Sequence, residues 1–322
     1  MNLFDKAKDE PQPLAGLKAG ESFNWYYRVQ EISRRKSLNS KKDYLDLLLA
    51  DRSGRMAAKI WDNVDSLHKV ILAGGVYRFA GEVREYRGKP QLSIARARPL
   101  EPGDAVAADD FAERPPFDSE ALLKETYALL DANLRDPHLR RLSDLFREEF
   151  GPVFSQAYGA QKIHHAFAGG LLQHTHALLK LVLAVAPHYG LDVEALLIGA
   201  LFHDIGKTEE FKTQPALETT LAGGLLGHLV ISLKIFLDLA RRVPDFPEEL
   251  SVRIQHLIVA HHGEKEFGSP EVPKTREAYL LHVLDLLDSR MSIFDEQLKA
   301  GGDAKRFSDF NQALGRRILM DK

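Results

Sequence analysis

The hydrophobic period of this chain changes once, about a third of the way along, and that change constrains the fold more than any single motif. From Ser22 to about Arg98, apolar and polar residues alternate in short runs, the period of strands. From Ser119 nearly to the end, apolar residues recur every three to four positions, the period of helices. A sheet and a helical bundle bury their apolar faces differently, and 322 residues are enough for two cores. The pattern therefore predicts a multi-domain α and β protein, with a barrel first and an all-α domain after it.

In the first part, Tyr44 to Leu49 runs to a turn at Asp51-Arg52-Ser53-Gly54, and Met56 to Trp61 resumes beyond it. Asp62 to Ala73 is long enough for a short helix. Gly74-Gly75 then precedes Val76 to Glu85, and Arg87-Gly88 turns into a last strand, Gln91 to Arg98. Five short strands with a helix between the third and fourth predict an OB-type barrel, with another small antiparallel barrel as the alternative. Pro99 to Phe117 is rich in Pro, Asp and Ala without a period, the composition of a linker. Helices are predicted over Ser119–Ala132, His138–Phe150, Gly169–Ala186, Val193–His203, Glu218–Arg242, Glu248–His262 and Thr275–Leu298. The expected organisation is a barrel over 1–100, a linker over 101–117, a helical domain over 118–300 and a weakly patterned, mobile tail over 301–322.

Composition narrows the function classes. The chain has no cysteine, which excludes disulfides and cysteine-ligated zinc and fits a cytoplasmic protein. The first residues lack a signal-peptide core, and no unbroken run of about 18 apolar residues occurs, so neither secretion nor membrane spanning is expected. The net charge of −3 leaves a nucleic-acid site to local basic clusters. The sequence does not determine whether the chain forms a homo-oligomer.

Every histidine except His68 follows the linker. His203-Asp204 ends an apolar helix and is followed by Gly206 and Lys207; taken alone, such a pair is more often a helix end and the start of a loop. However, His174, His228, His261-His262 and Asp285 also interrupt apolar helices, where an unpaired imidazole or carboxylate costs several kcal/mol. Convergence of these groups on divalent cations explains all of them at once.

The order His174, His203-Asp204, His228, His261-His262, Asp285 resembles the HD superfamily of metal-dependent phosphohydrolases, over roughly Ile163 to Arg290. The blocks HHAFAGGLLQHT, LFHDIGKTEEF, GGLLGH and HHGEKEFGSPEVPKTREAYLLHVLDLLD are similar to those of the YhaM-type 3′–5′ exoribonucleases, which also place an OB-fold before the HD domain. The resemblance implies that His174, His203, Asp204 and Asp285 hold a first metal, and that His228, His261 and His262 hold a second with Asp204 bridging. It further implies Mn²⁺ as the working ion, a bridging hydroxide as nucleophile, and single-stranded RNA as substrate, with single-stranded DNA as a second candidate. The ligand types themselves also admit Fe²⁺, Co²⁺, Ni²⁺ or Zn²⁺. Asp288 lies three residues from Asp285 on one helix, and the superfamily's closing motif favours Asp285 as the ligand. Lys207 is a candidate to reach a phosphate oxygen. His164 and His165 are candidates for substrate contact or plain loop residues, and His282 is placed to orient Asp285.

In the barrel, Arg34-Arg35-Lys36 and Lys41-Lys42 are expected in the first inter-strand loop. If Leu45, Leu47 and Leu49 face inward, then Tyr44, Lys59, Trp61 and Arg78 face outward. Cations beside exposed rings suit single-stranded nucleic acid, although a solvated hairpin with Trp61 packed against the linker has the same composition. Two competing functions remain: an HD-type hydrolase of a small nucleotide with the barrel as a regulatory or docking module, and a nucleic-acid-binding factor with a structural metal.

Overall fold

The computed structural model describes residues 10–37, 40–86, 88–101, 103–104, 106, 111, 115, 117–159, 168–212, 218–300, 306–308, 310–311 and 313–320. The chain divides into two compact units, one built on residues 1–114 and one on 115–212 and 218–322.

In the first unit, strands β1 (Ser22–Lys36), β2 (Asp43–Asp51), β3 (Gly54–Ile60), β4 (Val76–Tyr86) and β5 (Lys89–Pro99) close a barrel in the order β1-β2-β3-β5-β4. Helix α1 (Val64–Val70) lies between β3 and β4. Closure depends on one parallel contact, which sets Ala58 opposite Leu92 and Ile60 opposite Ile94. This connectivity is that of the OB-fold. Strand β1 serves two neighbours: Ser22–Arg28 pairs with β4, and Arg28–Lys36 pairs with β2 across an irregularity between Val29 and Glu31. Alternation holds as predicted, because Leu45, Leu47 and Leu49 are buried alongside Tyr27, Ile60, Phe79 and Leu92.

Two expectations for this unit need correction. Arg34, Arg35 and Lys36 belong to β1, opposite Leu45, Tyr44 and Asp43, so they are not in the loop. Leu100, Val106 and Phe111, from the stretch expected as linker, pack against the barrel core. Isolated apolar residues in a Pro- and Asp-rich segment show no period, yet each can bury its own surface.

The second unit contains α2 (Ser119–Asn133), α3 (Pro137–Phe154), α4 (Gly170–Val185), α5 (Val193–Phe202), the short α6 (Lys207–Glu210), α7 (Leu221–Ala240), α8 (Glu248–Ala260) and α9 (Arg276–Ala300). Carboxylates cap three of the N-termini. Asp118 accepts from the amides of Glu120 and Ala121, Asp136 from those of His138 and Leu139, and Asp192 from that of Ala195. Helix α5 is apolar all round, and every residue from Ala195 to Phe202 is buried. It packs against α4, α8 and α9, which makes its C-terminal end the natural meeting point of the bundle.

Helix α7 departs from expectation at both its start and its middle. Glu218–Thr219, expected as helix, pairs as strand β7 with β6 (Phe211–Lys212). Gly227 has φ 71° and ψ 160°, a conformation open essentially to glycine alone, and it breaks the helix just before His228. Leu225 and Leu226, before the break, are exposed, whereas Leu229 and Ile231, after it, are buried. By length and composition alone α7 is apolar enough to cross a membrane, but its second half buries one face in the core. Within the described part of the tail, Leu314 and Ile318 pack on Ile293 of α9.

Candidate metal centre

The centre is built where α5 ends. His203 caps α5, and Asp204 follows in the turn before Gly206. A Cβ on Gly206 would fall 2.2 Å from the carbonyl oxygen of His228, and the Gly206 amide donates to Ser232 Oγ at 2.8 Å. The absence of a side chain at Gly206 therefore lets this turn seat directly on α7. Around it stand His174 from the middle of α4, His228 after the break in α7, His261 and His262 at the end of α8, and Asp285 on α9. His174, His203, Asp204 and His261 are buried.

The orientation of the rings follows from their partners. A carbonyl oxygen can only accept, so Nδ1 is the N–H of His203, donating to Ala200 O at 2.8 Å, of His261, donating to Ile258 O at 2.8 Å, and of His262, donating to Phe267 O at 3.0 Å. His174 Nδ1 lies 2.7 Å from Asp288 Oδ2, and His228 Nδ1 lies 3.3 Å from Glu210 Oε2. All five rings thus turn Nδ1 outward and Nε2 inward. The inward atoms approach closely: His174 Nε2 is 3.3 Å from His203 Nε2 and 3.1 Å from Asp285 Oδ1, and His228 Nε2 is 3.3 Å from His262 Nε2.

Asp204 joins the two groups. Its Oδ2 lies 3.3 Å from His203 Nε2 and 2.6 Å from Lys207 Nζ, while its Oδ1 lies 3.4 Å from His228 Nε2 and 3.6 Å from His261 Nε2. Asp204 Oδ1 and His261 Nε2 are buried without a hydrogen-bond partner. Two neighbouring acceptors left unpaired in the interior are unfavourable unless a cation lies between them. Three sets of donor atoms lie within 4.8 Å of one another: His174, His203 and Asp285; His203, Asp204 and His261; and His228, His261 and His262. Imidazole nitrogens with two carboxylates fit a borderline divalent cation better than calcium or magnesium, which favour oxygen ligands.

The electrostatics carry the same demand for positive charge. Burial opposes a charged His174, but hydrogen bonds to Asp285 and Asp288 outweigh it and raise the ring to about 9. Burial would raise Asp204, but Lys207 and His203 hold it well below the ordinary carboxylate range. Burial would also raise Asp285, and its bond to His174 lowers it instead. Burial, then the neighbouring His261, depress His262 to about 4. A cavity of about 90 Å³ opens onto His174, Asp204, Lys207, His261, His262, Asp285 and Ser289.

All seven sequence-predicted metal ligands therefore come together, and Lys207 lies beside them, paired with Asp204. Asp285 is on the inner side of His174 and Asp288 on the outer side. His282 does not orient Asp285; its Nδ1 donates to His261 O at 2.9 Å. His164 and His165 lie outside the described residues. Glu210 escapes sequence reasoning, because nothing in the run Lys207-Thr208-Glu209-Glu210 distinguishes it from its neighbour.

The barrel candidates are more dispersed. Tyr44 and Trp61 stack with ring centroids 4.6 Å apart, and Lys59 Nζ sits 4.2 Å from the Tyr44 centroid. Trp61 is 41% exposed and packed on Tyr44. Lys36, Lys41 and Lys42 are exposed. Arg34 is paired with Asp43 and Asp65, and Arg35 with Asp46. The expectation for Arg78 is overturned. It points away from the barrel interior, yet it is buried: it donates to Asn24 Oδ1 and Tyr26 Oη, in a network that Arg98 and Asp104 complete.

A model of the HD domain matches residues 171–290. The 3′-5′ exoribonuclease YhaM of Bacillus velezensis is 31% identical over 283 residues, 88% of this chain and 89% of the relative. That of Bacillus subtilis is 31% identical over 283 residues with the same shares, and that of Oceanobacillus iheyensis is 32% identical over 288 residues, 89% of this chain and 90% of the relative. Among solved structures, the second OB-fold domain of replication protein A from Methanococcus maripaludis matches 29% of this chain and 96% of its own, at 14% identity and a TM-score of 0.25.

Proposed function

This chain belongs to the family of YhaM 3′-5′ exoribonucleases, and from that premise we propose that it trims single-stranded RNA at a centre for two divalent cations, with Mn²⁺ as the working ion. It is a metal-dependent 3′–5′ exoribonuclease. His174, His203, Asp204 and Asp285 would hold one ion, and His228, His261 and His262 the other. The two oxygens of Asp204, facing His203 on one side and His228 and His261 on the other, support a bridging role.

Divalent ions there would make water nucleophilic at neutral pH and offset charge on the phosphodiester. The protein's own groups supply the rest. Asp204 stays ionised beside Lys207, so it remains a ligand across the physiological range. The Lys207 ammonium has three N–H donors, so while one engages Asp204 others can meet a non-bridging phosphate oxygen in the cleft. Ala200, Ile258 and Phe267 carbonyls hold three rings with Nε2 turned toward the centre. On the barrel, the exposed face of the Tyr44–Trp61 stack suits an unpaired base, and Lys36, Lys41, Lys42 and Lys59 suit the phosphates beside it. Stacking and phosphate contacts do not read the 2′-hydroxyl, so single-stranded DNA is a second candidate substrate.

The observation that carries this reading is the pair of buried, unpartnered acceptors, Asp204 Oδ1 and His261 Nε2. The test is 5′-labelled single-stranded RNA with Mn²⁺, comparing the native protein with His203→Ala and Asp204→Ala. A ladder of shortened products, absent from both variants, is expected. Turnover of small phosphodiesters without any ladder would instead make the chain a small-nucleotide hydrolase.

A further inference from the structure

The five imidazoles of the centre are not anchored alike. His203, His261 and His262 give their Nδ1 protons to backbone carbonyls, which the fold itself holds. His174 Nδ1 meets a side chain 114 positions away in sequence, Asp288, whose Oδ2 lies 2.7 Å from it. Both residues are largely shielded, with side-chain exposures of 5% and 18%.

We infer that Asp288 is a positioning residue for the metal centre: by accepting the Nδ1 proton of His174, it fixes that ring with its Nε2 lone pair toward the ion and never itself touches the ion. The assignment rests on the two-cation reading and deepens it. The ring's two ends separate the roles of two carboxylates on one face of α9. Asp285 Oδ1 is 3.1 Å from Nε2, the end that also meets His203 at 3.3 Å, whereas Asp288 is on the opposite nitrogen. A single imidazole cannot present both nitrogens to one ion, so Asp288 acts through His174. A carboxylate acceptor also makes the ring a stronger donor than a carbonyl does, and loss of such an outer partner weakens metal affinity about 10- to 100-fold. His228 has a counterpart in Glu210, but at 3.3 Å that contact is longer.

The test is Mn²⁺ titration of the full-length metal-free protein, read as stoichiometry and affinity, for the native chain, Asp288→Ala, Asp288→Asn and Asp285→Asn. Thermal melting of each metal-free protein controls for folding. Asp288→Ala is expected to keep the native stoichiometry and bind the weakened ion about 10- to 100-fold less tightly, with RNA cleavage restored by raised Mn²⁺. Asp288→Asn, which retains an acceptor oxygen, should fall between the two, and Asp285→Asn should lose one ion outright. Native affinity in Asp288→Ala overturns the inference. So does the loss of one ion from that variant, which would make Asp288 a ligand. So does a lowered melting temperature with Mn²⁺ affinity unchanged, which would make its role structural. If the native protein itself binds fewer than two ions, the two-cation reading fails, while the affinity difference for whichever ion remains still decides the role of Asp288.

Discussion

The barrel and the metal centre treat their charged groups in opposite ways. On the barrel, each cation that the fold could satisfy locally is satisfied. Arg34 pairs with Asp43 and Asp65, Arg35 with Asp46, and Arg78 disappears into a network with Asn24 and Tyr26. In the centre, imidazole nitrogens crowd to within 3.3 Å of one another, and Asp204 Oδ1 and His261 Nε2 are left without a partner. A surface whose charges are already paired can bind only with what is left over, here exposed rings and a few lysines. A pocket of unpaired acceptors is incomplete until a cation enters it. The dependence on ligand should therefore be strong in the second unit and graded in the first.

The sharpest break of that comparison is Asp204→Ala, which removes the group shared by both sets of donors. Loss of about a hundred- to a thousandfold in the rate of RNA cleavage is expected, together with loss of Mn²⁺ from both halves by elemental analysis. Retention of two ions would mean that Asp204 does not join the halves. Chelation comes next. At Mn²⁺ a hundredfold above its dissociation constant, each bound ion should stabilise the protein by about 2.7 kcal/mol, read as a melting temperature that falls with chelator and recovers with added metal.

On the barrel side, Trp61→Ala should raise KM for single-stranded RNA by about 5- to 150-fold, the value of one lost base stack, and leave kcat and hydrolysis of a small phosphodiester unchanged. Arg34→Ala and Arg35→Ala, whose charges are already paired, should shift RNA affinity by less than about threefold, in keeping with the small worth of exposed ion pairs. An effect from either arginine equal to that of Trp61 would erase the contrast between the regions.

The comparison also reaches the pH dependence of metal-free stability. The unfolded value for histidine is 6.5 and His174 rises to about 9 on folding, so its contribution is complete below pH 6.5 and is lost as pH climbs through 9. His262 falls to about 4, so its contribution is complete above pH 6.5 and is lost as pH drops toward 4. Metal-free protein should thus lose melting temperature between pH 7 and 9. With Mn²⁺ bound, His174 has no proton to lose at Nε2, and that upper decline should vanish.

Much of this architecture is legible in the order of residues alone. The barrel strands and the seven long helices follow from period, and the ends of α2, α3 and α5 fall at Asp118, Asp136 and Asp192, residues whose side chains satisfy free amides. The metal donors stand out because each interrupts an apolar helix. Arg78 is misplaced by the same reasoning because alternation gives the face of a strand but not what lies over that face, and Asp104, Tyr26 and Arg98 lie over it. The break at Gly227 is hidden because leucines continue on either side of it at helical spacing, with nothing to mark that one group faces solvent.

By itself the sequence determined the order of the barrel strands and the long helices, though not where β1 ends or α7 begins, and which polar side chains must find a partner in the interior, because these are local consequences of where apolar residues recur. Only the tertiary structure decided which end of each imidazole turns inward, that Asp285 and Asp288 take opposite nitrogens of His174, and that the two oxygens of Asp204 face different halves of the centre. Those choices depend on distances between residues far apart in the chain, and on carbonyls and carboxylates that compete for one ring proton, neither of which leaves a period in the sequence.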